Sequence, residues 1–175
     1  MSELETTLKR TIRDVPDFPK PGILFKDITP LLRDAGGLAL AVELMANPFR
    51  GAGIHAVAGA ESRGFIFGTA VAQALSCGFV PIRKRAKLPP PVQSVSYELE
   101  YGTDTLEVRD DAVRKGQRVL MVDDLLATGG TMAACVQLMR SLGAEVVGAT
   151  VLIELVALKG RNALPGLQVH APITY

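Results

Sequence analysis

The chain has 175 residues, enough for one domain with a full core, and 48% of them are hydrophobic. Nineteen basic and eighteen acidic side chains nearly cancel, which argues against a basic nucleic-acid binder and against a disordered acidic tail. No apolar run approaches a membrane span, and Met1-Ser2-Glu3-Leu4-Glu5 lacks the basic start and apolar stretch of a signal peptide, so the expected location is cytoplasmic, with no membrane partner. Ser2 to Ile12 reads as an amphipathic helix with Leu4, Leu8 and Ile12 on one face. Val15 to Gly22 reads as an extended arm stiffened by its prolines, followed by the short apolar stretch Ile23-Leu24-Phe25. Leu38 to Met45 is helical by pattern. His55 to Gly59 reads as a buried strand, Phe65 to Leu75 as a helix after the turn Glu61-Ser62-Arg63-Gly64, and Phe79 to Arg83 as a short strand. Residues 87–104 carry Pro89, Pro90 and Pro91, then polar alternation through Glu98. They are too polar for core and too long for an ordinary connection, and such segments are often lids. Thr105 to Val108, Val119 to Val122 and Val146 to Ile153 complete the strands. A helix bearing Met132, Val136, Met139 and Leu142 precedes the last of them and ends at Gly143. Strands alternating with helices predict a single α/β domain, with a central, mostly parallel sheet flanked by helices.

The richest segment is Val119 to Thr131. A short apolar strand ends in Asp123 and Asp124, and the small-residue turn Ala127-Thr128-Gly129-Gly130-Thr131 then opens a helix. Free N–H groups and the helix dipole favour an anion at such a terminus. Gly129 and Gly130 let the backbone approach it, and the two threonines add hydroxyl donors, so the turn suits a phosphate monoester. The carboxylates suit hydroxyl groups or a metal on the sugar side. There is no Gly-Lys-Ser/Thr of a Walker A loop and no dinucleotide fingerprint. The turn Glu61-Ser62-Arg63-Gly64 repeats this logic, and the Arg63 guanidinium can grip phosphate oxygens through two hydrogen bonds. Arg83-Lys84-Arg85-Ala86-Lys87 is a basic run beside the lid. Cys77 and Cys135 lack metal-type spacing and read as buried free thiols; His55 and His170 are isolated and read as structural or surface residues.

The Val119–Thr131 segment resembles the phosphoribosyl pyrophosphate (PRPP) signature of the type I phosphoribosyltransferases: a hydrophobic strand, two acidic residues and a Thr-Gly-Gly-Thr loop. The Arg63-Gly64-Phe65 turn and Leu99-Glu100-Tyr101-Gly102 resemble the pyrophosphate turn and catalytic loop of the adenine phosphoribosyltransferases. Phe18 to Pro30 resembles their hood over the base. The resemblance runs from about Phe18 to Lys159. It implies the type I phosphoribosyltransferase fold, with residues 1–34 as arm and hood and 87–104 as a flexible lid loop that includes Ser96, Tyr97 and Tyr101. It implies conversion of adenine and PRPP to AMP and pyrophosphate, with Mg²⁺ as cofactor and a homodimer.

For the residues, the resemblance implies that Ala127 to Thr131 hold the 5-phosphate. Glu61, Ser62, Arg63, Arg83 and Lys87 hold pyrophosphate, and the Glu61–Ser62 peptide is a candidate for a cis bond. Leu24, Phe25, Lys26 and Leu155 hold adenine, with Phe25 stacked on the base; relatives often carry Arg at position 26. Asp123 and Asp124 take the ribose hydroxyls and stabilise positive charge, meeting the metal at most through water. Glu100 handles the proton at N7 of the purine. A PRPP-sensing regulator without catalysis would need a basic face or added length, and an enzyme for hypoxanthine, guanine or xanthine fits the hood and the Glu100 loop less well.

Overall fold

The computed structural model describes residues 3–99 and 102–175. The expected proton-handling residue Glu100 and lid residue Tyr101 lie outside the described residues. The chain begins with helix α1 (Glu3–Lys9), which buries Leu8. The arm that follows is not simply extended. Strands β1 (Arg13–Pro16) and β2 (Leu24–Asp27) pair antiparallel as a two-stranded hood. Its turn is closed by Asp17, whose carboxylate accepts from the Gly22 N–H at 2.8 Å. Short helix α2 (Thr29–Arg33) starts with Pro30 in its first turn, where a missing N–H costs nothing. Helix α3 (Ala35–Ala46) is capped by Asp34, which accepts from Gly37 N at 2.6 Å.

The remaining elements are β3 (Ala56–Ala60), α4 (Arg63–Ala74), β4 (Gly78–Lys84), β5 (Val92–Leu99), β6 (Gly102–Arg109), β7 (Arg118–Leu126), α5 (Gly130–Ser141), β8 (Glu145–Glu154), β9 (Val169–His170) and β10 (Ile173–Thr174). Among the described residues the main sheet runs β10-β8-β7-β3-β4-β6-β5, with β9 also on β8. Every pairing from β10 to β4 is parallel; β6 joins β4, and β5 joins β6, antiparallel. Both faces of the centre are covered. Along β7, Val119 and Met121 pack with Val136 and Met139 of α5, while Leu120 and Val122 pack with Phe67 and Val71 of α4 and Met45 of α3. From β3 the chain goes one way to β4 and later returns on the other side through β7. The C-terminal ends of β3 and β7 therefore flank a topological switch point, where open α/β sheets bind ligands.

Most of the expected lid is a β-hairpin rather than an irregular loop. Strands β5 and β6 pair continuously from Val92–Arg109 to Leu99–Gly102. Polar alternation that reads as loop is also the pattern of a strand with one dry face. Here Val95 and Tyr97 supply that face, packing against the α5 side of the core. The prolines before it are tied by Arg109, which donates to the Pro89 and Pro90 carbonyls at 2.8 and 2.6 Å. In the ligand-free protein, amides of the β5–β6 stem should exchange about as slowly as those of β4. Hydrogen exchange as fast as an unstructured chain's would overturn the docked hairpin.

Candidate active site

Strand β7 continues through both acidic residues to Leu126, so Asp123 and Asp124 stand on the strand rather than after it. Asp123 Oδ1 accepts from the Asp124 N–H at 2.9 Å. Gly64, in the first turn of α4, brings its backbone so close that a Cβ there would stand 2.9 Å from Asp123 Oδ1. Asp124 is 4% exposed. Its Oδ2 lies 3.1 Å from Arg63 Nε, an ion pair without hydrogen-bond alignment, and that oxygen is buried with no hydrogen-bond donor. Burial, and then the charge of Asp124, push the Asp123 carboxyl up to about 8. Burial also raises Asp124, and Arg63 works against it.

The turn after β7 is set by Gly129, at φ +86, and α5 starts behind it. A cavity of about 170 Å³ is lined by Arg63, Asp123, Asp124 and the loop Ala127–Thr131. A larger cleft of about 830 Å³ shares Ala127, Thr128, Gly130 and Thr131 with it and extends between Ile23 and Leu24 of the hood and Leu155, Ala157 and Leu158. A small polar cavity thus opens into a mostly apolar cleft across one loop. Thr131 Oγ1 stands 3.5 Å from Tyr97 Oη, which brings the hairpin to the mouth of the loop. Ser96 instead pairs with Thr105 within the hairpin, 2.9 Å between hydroxyl oxygens.

Several expected site residues face elsewhere. Phe25 is not on the cleft wall: its ring meets Phe18 edge-on at 5.1 Å and the Arg63 guanidinium at 5.4 Å, because alternation along β2 turns it away from Leu24. Lys26 reaches the cleft, but its ammonium is held 2.6 Å from Asp14 Oδ1 and 3.6 Å from the Tyr175 ring centre. Glu61 accepts from Arg83 Nε and from the Lys84 N–H, both at 3.0 Å, and so orients the Arg83 guanidinium. Those donors lower its pKa against the cost of burial. Lys87 is exposed on the turn after β4 and lines neither cavity. The Glu61–Ser62 peptide is not among the cis bonds; the chain reverses at Ser62 through φ +75. A positive φ without glycine is strained backbone, and it sits where β3 hands over to α4.

Tyr175, Leu158 and Gly160 carry no signal in the sequence. A short loop after β8 and a lone aromatic carry no motif, and only packing reveals them. Arg161 pins that loop, donating to both Glu154 oxygens at 2.8 and 2.6 Å and to the Val169 carbonyl at 2.7 Å.

Two carboxylates with a buried, donor-free oxygen are hard ligands of the type Mg²⁺ prefers. No group of three or more His, Cys, Asp or Glu able to hold a metal occurs among the described residues. No helix among the described residues is long and apolar enough to cross a membrane.

A glycine-set loop at a helix N-terminus, paired carboxylates at a sheet switch point and an adjoining apolar cleft make a site suited to an anionic group beside an apolar one. Residues 31–164 match the phosphoribosyl transferase domain. An adenine phosphoribosyltransferase of Methylococcus capsulatus is 58% identical over 96% of this chain and 98% of its own. The solved adenine phosphoribosyltransferase of Thermoanaerobacter pseudethanolicus is 49% identical, with a TM-score of 0.94 over 97% of this chain and 99% of its own. That of Saccharomyces cerevisiae, solved with an imino-altritol bisphosphate and adenine, is 37% identical, with a TM-score of 0.93 over 98% of this chain and 99% of its own. The chain belongs to the adenine phosphoribosyltransferase family of pentosyltransferases, with their α/β fold.

Proposed function

We infer that the protein converts adenine and PRPP to AMP and pyrophosphate. The observation that carries the assignment is the pair of adjoining cavities, polar beside Asp123 and Asp124 and apolar between Leu24 and Leu155, which share the loop Ala127–Thr131. Thr128, Thr131 and the free N–H groups at the start of α5 hold the 5-phosphate, fixing C1 of the sugar beneath the base. Adenine lies in the apolar cleft between Leu24 and Leu155. Leu24 stands opposite Pro16 on the neighbouring strand, and Pro16 has no N–H to offer its carbonyl. That carbonyl is suited to accept from the exocyclic amine of adenine, where hypoxanthine presents an acceptor instead.

N9 of adenine attacks C1 as the bond from C1 to the pyrophosphate oxygen breaks. Glu100 accepts a hydrogen bond from N7–H, favours the tautomer whose N9 lone pair is free, and takes the N7 proton as the N9–C1 bond forms. Asp123 and Asp124 hold the ribose hydroxyls and offset the positive charge that grows on the ring. Arg63, and Arg83 oriented by Glu61, receive the leaving pyrophosphate, with Lys87 and Ser62 at its outer side. Asp123 and Asp124 would hold Mg²⁺ through water, and the bound ion would supply positive charge to offset that of the pyrophosphate. The hairpin, docked at the loop through Tyr97, would help exclude water from the activated sugar. A homodimer and a cytoplasmic location go with this reading on the family resemblance.

The test is a steady-state assay with PRPP, Mg²⁺ and each purine base. Adenine should exceed hypoxanthine in kcat/KM by about 10⁴, the scale set by one buried hydrogen bond made or reversed. Glu100→Gln should lower turnover, and Glu100→Leu more so, with PRPP affinity nearly unchanged. Comparable use of hypoxanthine, or wild-type turnover in Glu100→Leu, would refute the assignment.

A further inference from the structure

The cleft that receives the base has two walls that belong to different parts of the fold. Leu24 stands on the hood, whose two strands pair only with each other. Leu155 stands just past the C-terminal end of β8, beside the edge strand β10. One cluster of side chains spans them. Asp14 is on β1, Lys26 on β2 and Tyr175 follows β10. The Lys26 ammonium lies 2.6 Å from Asp14 Oδ1 and 3.6 Å from the centre of the Tyr175 ring. Lys26 is 7% exposed, although it is a lysine on a short two-stranded hairpin. Tyr175 is in turn fixed to the opposite wall by its backbone. Its N–H donates to the Glu154 carbonyl at 2.9 Å, and its carbonyl accepts from the Val156 N–H at 2.9 Å, on either side of Leu155. Tyr175 and Lys26 both line the cleft.

We propose that Asp14, Lys26 and Tyr175 form a clasp that locks the hood to the edge of the main sheet and so sets the width of the base cleft between Leu24 and Leu155. The three are positioning residues. Lys26 serves the base through its place in the clasp, since a buried ammonium already shared by a carboxylate and an aromatic face has little left for a purine edge. The ring of Tyr175 is the working part, because the attraction to Lys26 comes from its π-face and not from its hydroxyl. The clasp rests on adenine as the occupant of the cleft, but its mechanical part does not: without it the hood should loosen in the free protein.

Tyr175→Leu keeps apolar volume and removes the π-face; Tyr175→Phe keeps the π-face. In Tyr175→Leu, KM for adenine should rise about ten-fold, the scale of one desolvated cation–π contact, while KM for PRPP stays within about two-fold. Tyr175→Phe should restore both. In the ligand-free Tyr175→Leu protein, amides of β1 and β2 should exchange faster while those of β3 and β7 stay protected. A purely structural role would instead lower protection throughout and raise both KM values together, which would overturn the clasp. Unchanged exchange at β1 and β2 would overturn it too, whichever base the wild-type enzyme prefers. Wild-type protein that ignores adenine, with the hood still loosened by Tyr175→Leu, would refute the base assignment and leave the clasp standing.

Discussion

Asp123→Asn and Asp124→Asn should each lower kcat by about two orders of magnitude or more, while AMP still binds appreciably. Both changes keep the shape of the side chain and remove a group that can carry negative charge; that charge matters most when C1 becomes cationic and draws the proton off Asp123. Asp123→Asn should also make the protein more stable at high pH. Burial, and then the charge of Asp124, push the carboxyl of Asp123 up to about 8 in the fold, against an ordinary value of 3.8. Below pH 3.8 both the folded and unfolded chains carry the proton, and there is no cost. As pH rises from 3.8 to 8 the unfolded chain ionises while the folded one holds its proton, so folding stability falls through that window and then levels off. Asparagine removes the penalty and can still accept from the Asp124 N–H through its amide oxygen. Asp123 keeps some contact with solvent, so the gain at pH 9 should be about 1–2 kcal/mol, or about 2–8 °C in Tm, shrinking toward pH 4. Thermal melts at pH 4 and pH 9 with parallel turnover assays would measure both effects. Wild-type turnover in Asp123→Asn, or a Tm difference that does not change with pH, would refute this account of the pair.

Gly129→Ala should be as damaging to the fold as to the chemistry. From the sequence, the two glycines leave room for a phosphate. In the structure, a Cβ on Gly129 would point away from that role and lie 2.3 Å from the Gly160 carbonyl oxygen and 2.9 Å from the Ala163 Cβ. The residue also holds φ +86, which costs a residue with a Cβ about 1–2 kcal/mol. Strain and overlap together should destabilise the fold by about 3–5 kcal/mol. The 5-phosphate site must shift to relieve them, so KM for PRPP should rise more than about ten-fold. Gly160→Ala should behave alike, because its Cβ would lie 2.3 Å from the Ala127 carbonyl oxygen across the same contact. Chemical denaturation and PRPP kinetics on both variants test the packing. Wild-type stability in Gly129→Ala would show that the loop does not pack on 160–163 as described.

Much of the architecture was legible in the chain because it rests on local rules. The all-apolar run Val119–Val122 reads as a short buried strand, and the small-residue turn beyond the acidic pair as the opening of a helix. Spacing alone put the methionines of α5 on one face, where Met132 and Met139 are buried. The acidic pair, the loop Ala127–Thr131 and Arg63 were conspicuous because their residue types have few uses together. Other features depend on contacts between distant segments. Polar alternation in 94–98 does not reveal whether a partner strand exists, and pairing with β6 turned an expected loop into a hairpin. The direction of Phe25 followed from the pairing of β1 with β2, which sent Leu24 to the cleft and Phe25 to Arg63.

The sequence by itself determined the α/β class, the order of the central elements and the chemical types gathered at the ends of β3 and β7, because periodicity and turn chemistry act between near neighbours. Only the tertiary structure decided what those groups meet. It buried Asp123 enough to push its carboxyl well above the ordinary range, gave Gly129 a backbone to pack on, and tied Lys26 to Asp14 and Tyr175. Desolvation, close approach and ion pairing all depend on atoms far apart in the chain, so no local pattern encodes them.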